Sequence, residues 1–180
     1  RVTERKRTMK ALILNSGLGH RMGDLTREHP KCMTEIQPDE TILSRQLKLL
    51  ADFGVTEAVI TTGYYDGVLV DYCAALDTDI RLTFVKNPVY DRTNYIYSIW
   101  CARDYLTEDI LLLHGDLVFE PSVLQDILAC PQSCMKVSST VALPEKDFKA
   151  VVQDGRVMKV GIEFFDSAME AQALYKLIKP

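Results

Sequence analysis

Short apolar runs recur along the chain, and polar segments carrying Gly, Pro, Asn or Asp separate them. Lys10–Asn15 (Lys-Ala-Leu-Ile-Leu-Asn) has the form of a short buried strand, stopped by Ser16-Gly17. The polar, Gly-containing stretch Ser16–Glu35 predicts a long loop, and a loop of that length in a compact domain usually serves function. Thr41–Phe53 places Ile42, Leu43, Leu47, Leu49, Leu50 and Phe53 mostly on one helical face, and Gly54 ends it. Further on, the pattern predicts strands at Ala58–Thr62, Arg81–Val85, Asp109–His114 and Lys136–Leu143. It predicts helices at Val68–Ala75 (opened by Asp66), Thr93–Tyr105 and Pro121–Leu128, the last with Pro at its start. Val151–Gln153 and Arg156–Ile162 flank Asp154-Gly155, a hairpin signal. Ser167–Pro180 is open between an amphipathic helix and a strand. Strands alternating with helices through residue 130 predict an α/β three-layer sandwich: a mostly parallel mixed sheet, helices on both faces, and a small hairpin near the C-terminus. Ligand sites in such folds lie at the carboxyl ends of the strands. Three predicted strand ends read Asn15-Ser16-Gly17, Thr62-Gly63-Tyr64 and His114-Gly115-Asp116.

Composition narrows this picture. The 180 residues are 47% hydrophobic and 26% charged, ordinary for a globular domain and far from coiled coil or disorder. We expect one domain over residues 9–180 and a basic N-terminal tail over residues 1–8. Apolar runs such as Ile110–Leu113 are too short to cross a bilayer, so no membrane insertion is expected. The first residues lack the apolar stretch of a signal peptide, and they also lack an initiator Met, as in a trimmed chain or part of a multidomain polypeptide. A net charge of −4 argues against a nucleic-acid partner. Residues 1–31 nevertheless hold eight Lys/Arg against three Asp/Glu, which suits either a solvated tail or a seat for a small polyanion. Five cysteines without a C-x-x-C pair read as free thiols in a reducing, cytoplasmic setting. The three histidines form no zinc array.

The chemistry concentrates in Leu14-Asn15-Ser16-Gly17-Leu18-Gly19-His20-Arg21-Met22. A Gly-containing loop after a strand lets backbone N–H groups approach phosphate oxygens, and Arg21 adds a bidentate fork. Met22 stands where a dinucleotide fingerprint needs Gly, which weighs against NAD. The stretch continues through Leu25-Thr26 to Pro30-Lys31, giving G-x-G-x-R-M-x-x-L-T-x-x-x-P-K. This resembles the signature of the sugar-nucleotide-type nucleotidyltransferases, with Asn15-Ser16 where many members have Ala-Ala. Asn87–Ser98 resembles the subgroup of CTP-dependent cytidylyltransferases acting on phosphocholine and 2-aminoethylphosphonate. Val59–Tyr64 and Leu111–Asp116 resemble the family's second strand with its Gly-Tyr turn and its metal-delivering strand.

The resemblance implies a Rossmann-like fold and a Mg²⁺-dependent transferase. A phosphate or phosphonate oxygen of a small acceptor attacks the α-phosphate of CTP or another nucleoside triphosphate, and pyrophosphate leaves. It implies Arg21 at the triphosphate, Lys31 at the α-phosphate and Asp116 on Mg²⁺. Leu14, Asn15, Ser16, Gly17, Gly19, Gly63 and Tyr64 are then nucleotide contacts, and Asn94 and Ser98 contacts to the acceptor. No motif marks the family's second metal carboxylate; Asp166 and Glu163 lie near the end. The family's chemistry needs no general base, because the nucleophile is already ionised, so catalysis rests on positioning and charge.

Each residue also has a structural reading. Arg21 and Lys31 suit a solvated surface, Asp116 a cap after its strand, and His114 either a packed ring or a ligand contact. Tyr90, Tyr95, Tyr97 and Trp100 suit an ammonium cage or packing against the sheet, which we favour for Trp100. Two other functions stay open: a sugar-1-phosphate uridylyl- or thymidylyltransferase, and a regulatory domain that binds nucleotide without turnover.

Overall fold

The computed structural model describes residues 9–17, 27–140, 142–143, 145, 148–165 and 168–177. Gly19, Arg21 and Asp166 lie outside them. Four parallel strands form the heart of the sheet: β1 (Met9–Leu14), β4 (Glu57–Thr62), β5 (Arg81–Lys86) and β6 (Asp109–His114), in the order β5-β4-β1-β6. Their residues alternate between two apolar layers. Ala11, Ile13, Ala58, Ile60, Leu111 and Leu113 pack with helices α1 (Ile42–Asp52), α2 (Asp66–Ala74) and α4 (Pro121–Ala129). Leu12, Leu14, Val59, Ile110 and Leu112 pack with α3 (Tyr95–Ala102) on the other face. Burial on both faces is why these strands read as unbroken apolar runs.

The chain ends in an antiparallel extension. β8 (Lys149–Gln153) and β9 (Arg156–Gly161) form the expected hairpin, with Asp154 and Gly155 both at positive φ as its two-residue turn requires. The segment left open between helix and strand is a strand, β10 (Ala168–Leu177), antiparallel to β6, to β8 and to β7 (Cys134–Ser138). Tyr175 pairs both Leu112 and Met135, and Glu170 pairs both Ser138 and Lys149. β6 and β8 therefore share one edge of β10, and β7 takes the other. This carries the β8–β9 hairpin past the carboxyl end of β6.

Local chemistry shifts several predicted boundaries. Thr41 is the N-cap of α1 rather than part of it, and its hydroxyl and Ser44 form a reciprocal capping box. The helix expected over Thr93–Tyr105 is shorter. Asn94 caps α3 by accepting from the Ile96 N–H, and a 3-10 turn follows at Arg103–Tyr105. The strand expected over Lys136–Leu143 is instead β7, beginning two residues earlier and ending at Ser138. The predicted loop Ser16–Glu35 holds a 3-10 turn at Lys31–Met33, and a small hairpin follows, β2 (Glu35–Gln37) with β3 (Glu40–Thr41), turning through Asp39 at φ +62°. No helix among the described residues is long and apolar enough to cross a membrane.

Candidate active site

Register brings the three polar strand ends into line. Leu14 pairs Thr61 on one side and His114 on the other. The backbone continues the ladder one step further: Asn15 N–H donates to the Thr61 carbonyl at 3.1 Å, and Gly115 N–H to the Leu14 carbonyl at 3.0 Å. Asn15–Gly17, Gly63-Tyr64 and Gly115-Asp116 thus sit side by side at the carboxyl ends of the parallel strands.

Two glycines make this approach close. A Cβ on Gly63 would fall 2.4 Å from the Ser16 carbonyl oxygen, and one on Gly115 would fall 1.5 Å from Asn15 Oδ1. The two contacts differ in kind. Gly63 meets backbone, which has nowhere to go, whereas Gly115 meets the end of a side chain that can rotate. We expect Gly63→Ala to cost about 1–3 kcal/mol of stability, the usual range for overpacking, and to shift the Ser16 backbone. Gly115→Ala is expected to cost less in the same denaturant titration; an equal or larger loss there would contradict the contrast.

Lys31 and Asp116, 85 residues apart, come together. Lys31 Nζ lies 3.2 Å from Asp116 Oδ2. The 3-10 turn carrying Lys31 is anchored by fully buried Cys32, whose thiol is pushed well up by burial and, secondarily, by Cys73. Asp116 sits in the turn after β6, and buried Gln46 of α1 holds that turn by donating through Nε2 to the carbonyls of His114 (3.0 Å) and Leu117 (2.7 Å). Sequence reasoning missed Gln46. The signal available was one polar residue inside the apolar stripe of α1.

His114 is a packed ring: it meets Tyr95 edge-on at 5.0 Å, its Nε2 is buried without a partner among the described residues, and burial lowers its pKa against the opposite pull of Asp116. Tyr95 also meets Phe148 at 5.7 Å, and burial raises its phenol pKa. The other aromatics do not gather into one cage. Tyr64, 64% exposed, meets Tyr65 and Tyr90. Trp100 is 54% exposed, so core packing is not its place; it stacks on Tyr97 and already carries the Arg103 guanidinium 3.8 Å above its ring.

Asn94 and Ser98 differ in their surroundings: Asn94 is exposed at the start of α3, and Ser98 is buried within it. The Asn94 side-chain oxygen is engaged in capping α3. Ser98 is fully buried, with its hydroxyl 2.6 Å from that of Ser16. The Ser98 hydroxyl is thus committed to neighbouring side chains, whereas Asn94 is exposed and uses only its Oδ1 in the cap.

Among the described residues, no three His, Cys, Asp or Glu side chains gather into a metal cage. A half-exposed carboxylate such as Asp116 fits Mg²⁺, which binds through one or two carboxylates and completes its shell with phosphates and water. Glu163 lies against Gly161 beyond β9.

A parallel sheet with a glycine-lined loop after its first strand, and a Lys–Asp pair beside it, is the arrangement of a nucleoside-triphosphate transferase domain. The sequence pattern of the MobA-like NTP transferase domain matches residues 11–152, and the chain belongs to that family. It is 32% identical over 136 residues to CMP-5'-(3-aminopropyl)phosphonate synthase of Streptomyces rubellomurinus, covering 76% of this chain and 22% of that protein. It is 28% identical over 160 residues to CTP:phosphoglutamine cytidylyltransferase of Campylobacter jejuni, covering 84% and 62%. The chain thus spans less than two thirds of either relative. Among solved structures, the inositol-1-phosphate CTP transferase from T. maritima superposes with a TM-score of 0.79 at 23% identity, over 96% of this chain and 71% of that one. The CTP:phosphocholine cytidylyltransferase from Streptococcus pneumoniae gives 0.72 at 21%, over 96% and 72%. These two likenesses show the Rossmann-like fold.

Proposed function

We propose that the chain transfers CMP from CTP to a small phosphate or phosphonate acceptor. An ionised acceptor oxygen attacks the α-phosphorus, the bond to the bridging oxygen breaks, and pyrophosphate leaves with both electrons of that bond. No proton need move. The observation that carries this reading is the Lys31–Asp116 pair at 3.2 Å beside the Asn15–Gly17 loop. A cation and a carboxylate at the mouth of a phosphate loop suit phosphoryl transfer, where positioning and charge neutralisation supply most of the catalysis.

In this reading the Leu14–Gly17 backbone and the Gly63-Tyr64 turn seat the nucleotide, and the sequence motif assigns Gly19 to the nucleotide and Arg21 to the triphosphate. Lys31 stabilises charge on the α-phosphate. Asp116 holds Mg²⁺, which neutralises the triphosphate when bound. The choice of CTP, and of an acceptor like phosphocholine or 2-aminoethylphosphonate, draws on the cytidylyltransferase names among the relatives. Five cysteines without a C-x-x-C pair suit a reducing, cytoplasmic setting.

The test is pyrophosphate release with four nucleoside triphosphates, each against phosphocholine, 2-aminoethylphosphonate and a hexose 1-phosphate. Mg²⁺-dependent release with CTP and a cationic acceptor is expected, together with the largest thermal shift for CTP. Turnover of UTP or dTTP with the hexose phosphate would replace this reading with the sugar-nucleotide one. Nucleotide binding without release for any pair would replace it with a regulatory domain.

A further inference from the structure

Ser98 and Asn87 are buried polar residues outside the open site, and Ser98 reaches its loop. The amide of Asn87 is fully used. Its Nδ2 donates to Ser98 Oγ and to Thr93 Oγ1, both at 3.0 Å, and its Oδ1 accepts from Val89 N–H at 3.0 Å. Thr93 Oγ1 in turn donates to the Val89 carbonyl at 2.8 Å, closing the loop between β5 and α3 on itself. Ser98 Oγ then lies 2.6 Å from Ser16 Oγ, on the far side of β4 from Asn87. Asn87 is itself tied down, its N–H donating to the Thr62 carbonyl at 2.9 Å.

Burying two such groups costs free energy unless each finds a partner, and each does, along a single line that ends on Ser16. Ser16 is held from a second side, where its carbonyl meets Gly63. We infer that Asn87 and Ser98 form a positioning relay that fixes Ser16 in the nucleotide loop from the loop between β5 and α3. Neither residue touches nucleotide. They act by holding the Ser16 backbone, so that its approach to phosphate is set before the ligand arrives. A movement of the 87–94 loop is transmitted to the nucleotide loop through one hydroxyl pair. This inference rests on the reading of Asn15–Gly17 as a nucleotide seat.

Ser98→Ala, Ser16→Ala and the double variant test it, with CTP–Mg²⁺ affinity by calorimetry and amide exchange at Ser16 and Gly17 by NMR. Loss of a buried hydrogen bond predicts about tenfold weaker binding for Ser98→Ala and faster exchange at both amides. The double variant should be no worse than the weaker single, because both changes cut the same link. Additive losses in affinity, or unchanged exchange in Ser98→Ala, would overturn the relay and leave Ser98 as a packing residue of α3. Wild-type protein that binds no nucleoside triphosphate would overturn the nucleotide reading instead. The relay would then stand or fall on exchange alone. If Ser98→Ala does not fold, the half-buried Ser16→Ala reads the same link from its other end, with faster exchange at Gly17 expected and unchanged exchange contradicting it.

Discussion

Lys31→Ala is expected to lower kcat about a hundredfold in the pyrophosphate-release assay and to change KM for nucleotide little. Losing one donor aimed at developing charge typically costs about 3 kcal/mol of transition-state stabilisation. Lys31 is suited to such a role because its backbone is fixed: buried Cys32 anchors the turn, and among the described residues Nζ pairs with the half-exposed Asp116 carboxylate. Exposed ion pairs of this kind contribute about 0–1 kcal/mol, so the fold should survive the substitution with little change in Tm. An effect confined to KM would make Lys31 a ground-state binding residue and remove it from the catalytic step.

The second large effect is expected at Asp116. Asp116→Ala should abolish the Mg²⁺-dependent part of nucleotide affinity, measured by calorimetry with and without the metal. The side chain is 47% exposed, so circular dichroism and Tm should stay close to wild type. The backbone turn that presents it is secured independently by Gln46. Loss of the carboxylate therefore removes charge without moving the loop. Affinity that still rises on adding Mg²⁺ would show that the metal is held by phosphate and other groups, and Asp116 would lose its assigned role. Gln46→Leu separates presentation from charge. It keeps the carboxylate but removes the Gln46 donor from the Leu117 carbonyl, and leaves the His114 carbonyl with the Leu117 N–H at 3.2 Å.

Several features were legible because they depend on neighbours along the chain. The runs Ala11–Leu14, Val59–Thr62 and Leu111–Leu113 announced buried strands through apolar content alone, and the Asp154-Gly155 turn announced its hairpin through backbone freedom at positive φ. Lys31 and Asp116 were singled out from their motifs, and the structure brings them within 3.2 Å. Trp100 was misjudged for the converse reason. A helix of eight residues with aromatics at several positions does not declare which face meets the sheet, and α3 turns Ser98 and Ala102 inward while Trp100 faces solvent beneath Arg103.

What the sequence by itself determined is thus the class of fold, the order of its elements and the loop that carries the chemistry. Periodicity and turn residues encode these locally. Only the tertiary structure decided the partners of buried polar groups. Ser98 meets Ser16 across 82 residues, and Gln46 meets His114 across 68. The same holds for β10, which enters the sheet beside β6 rather than standing as a helix. Such pairings depend on strand register and on which edge is free, and a hydrogen-bond donor in a sequence does not specify which distant acceptor the fold will bring to it.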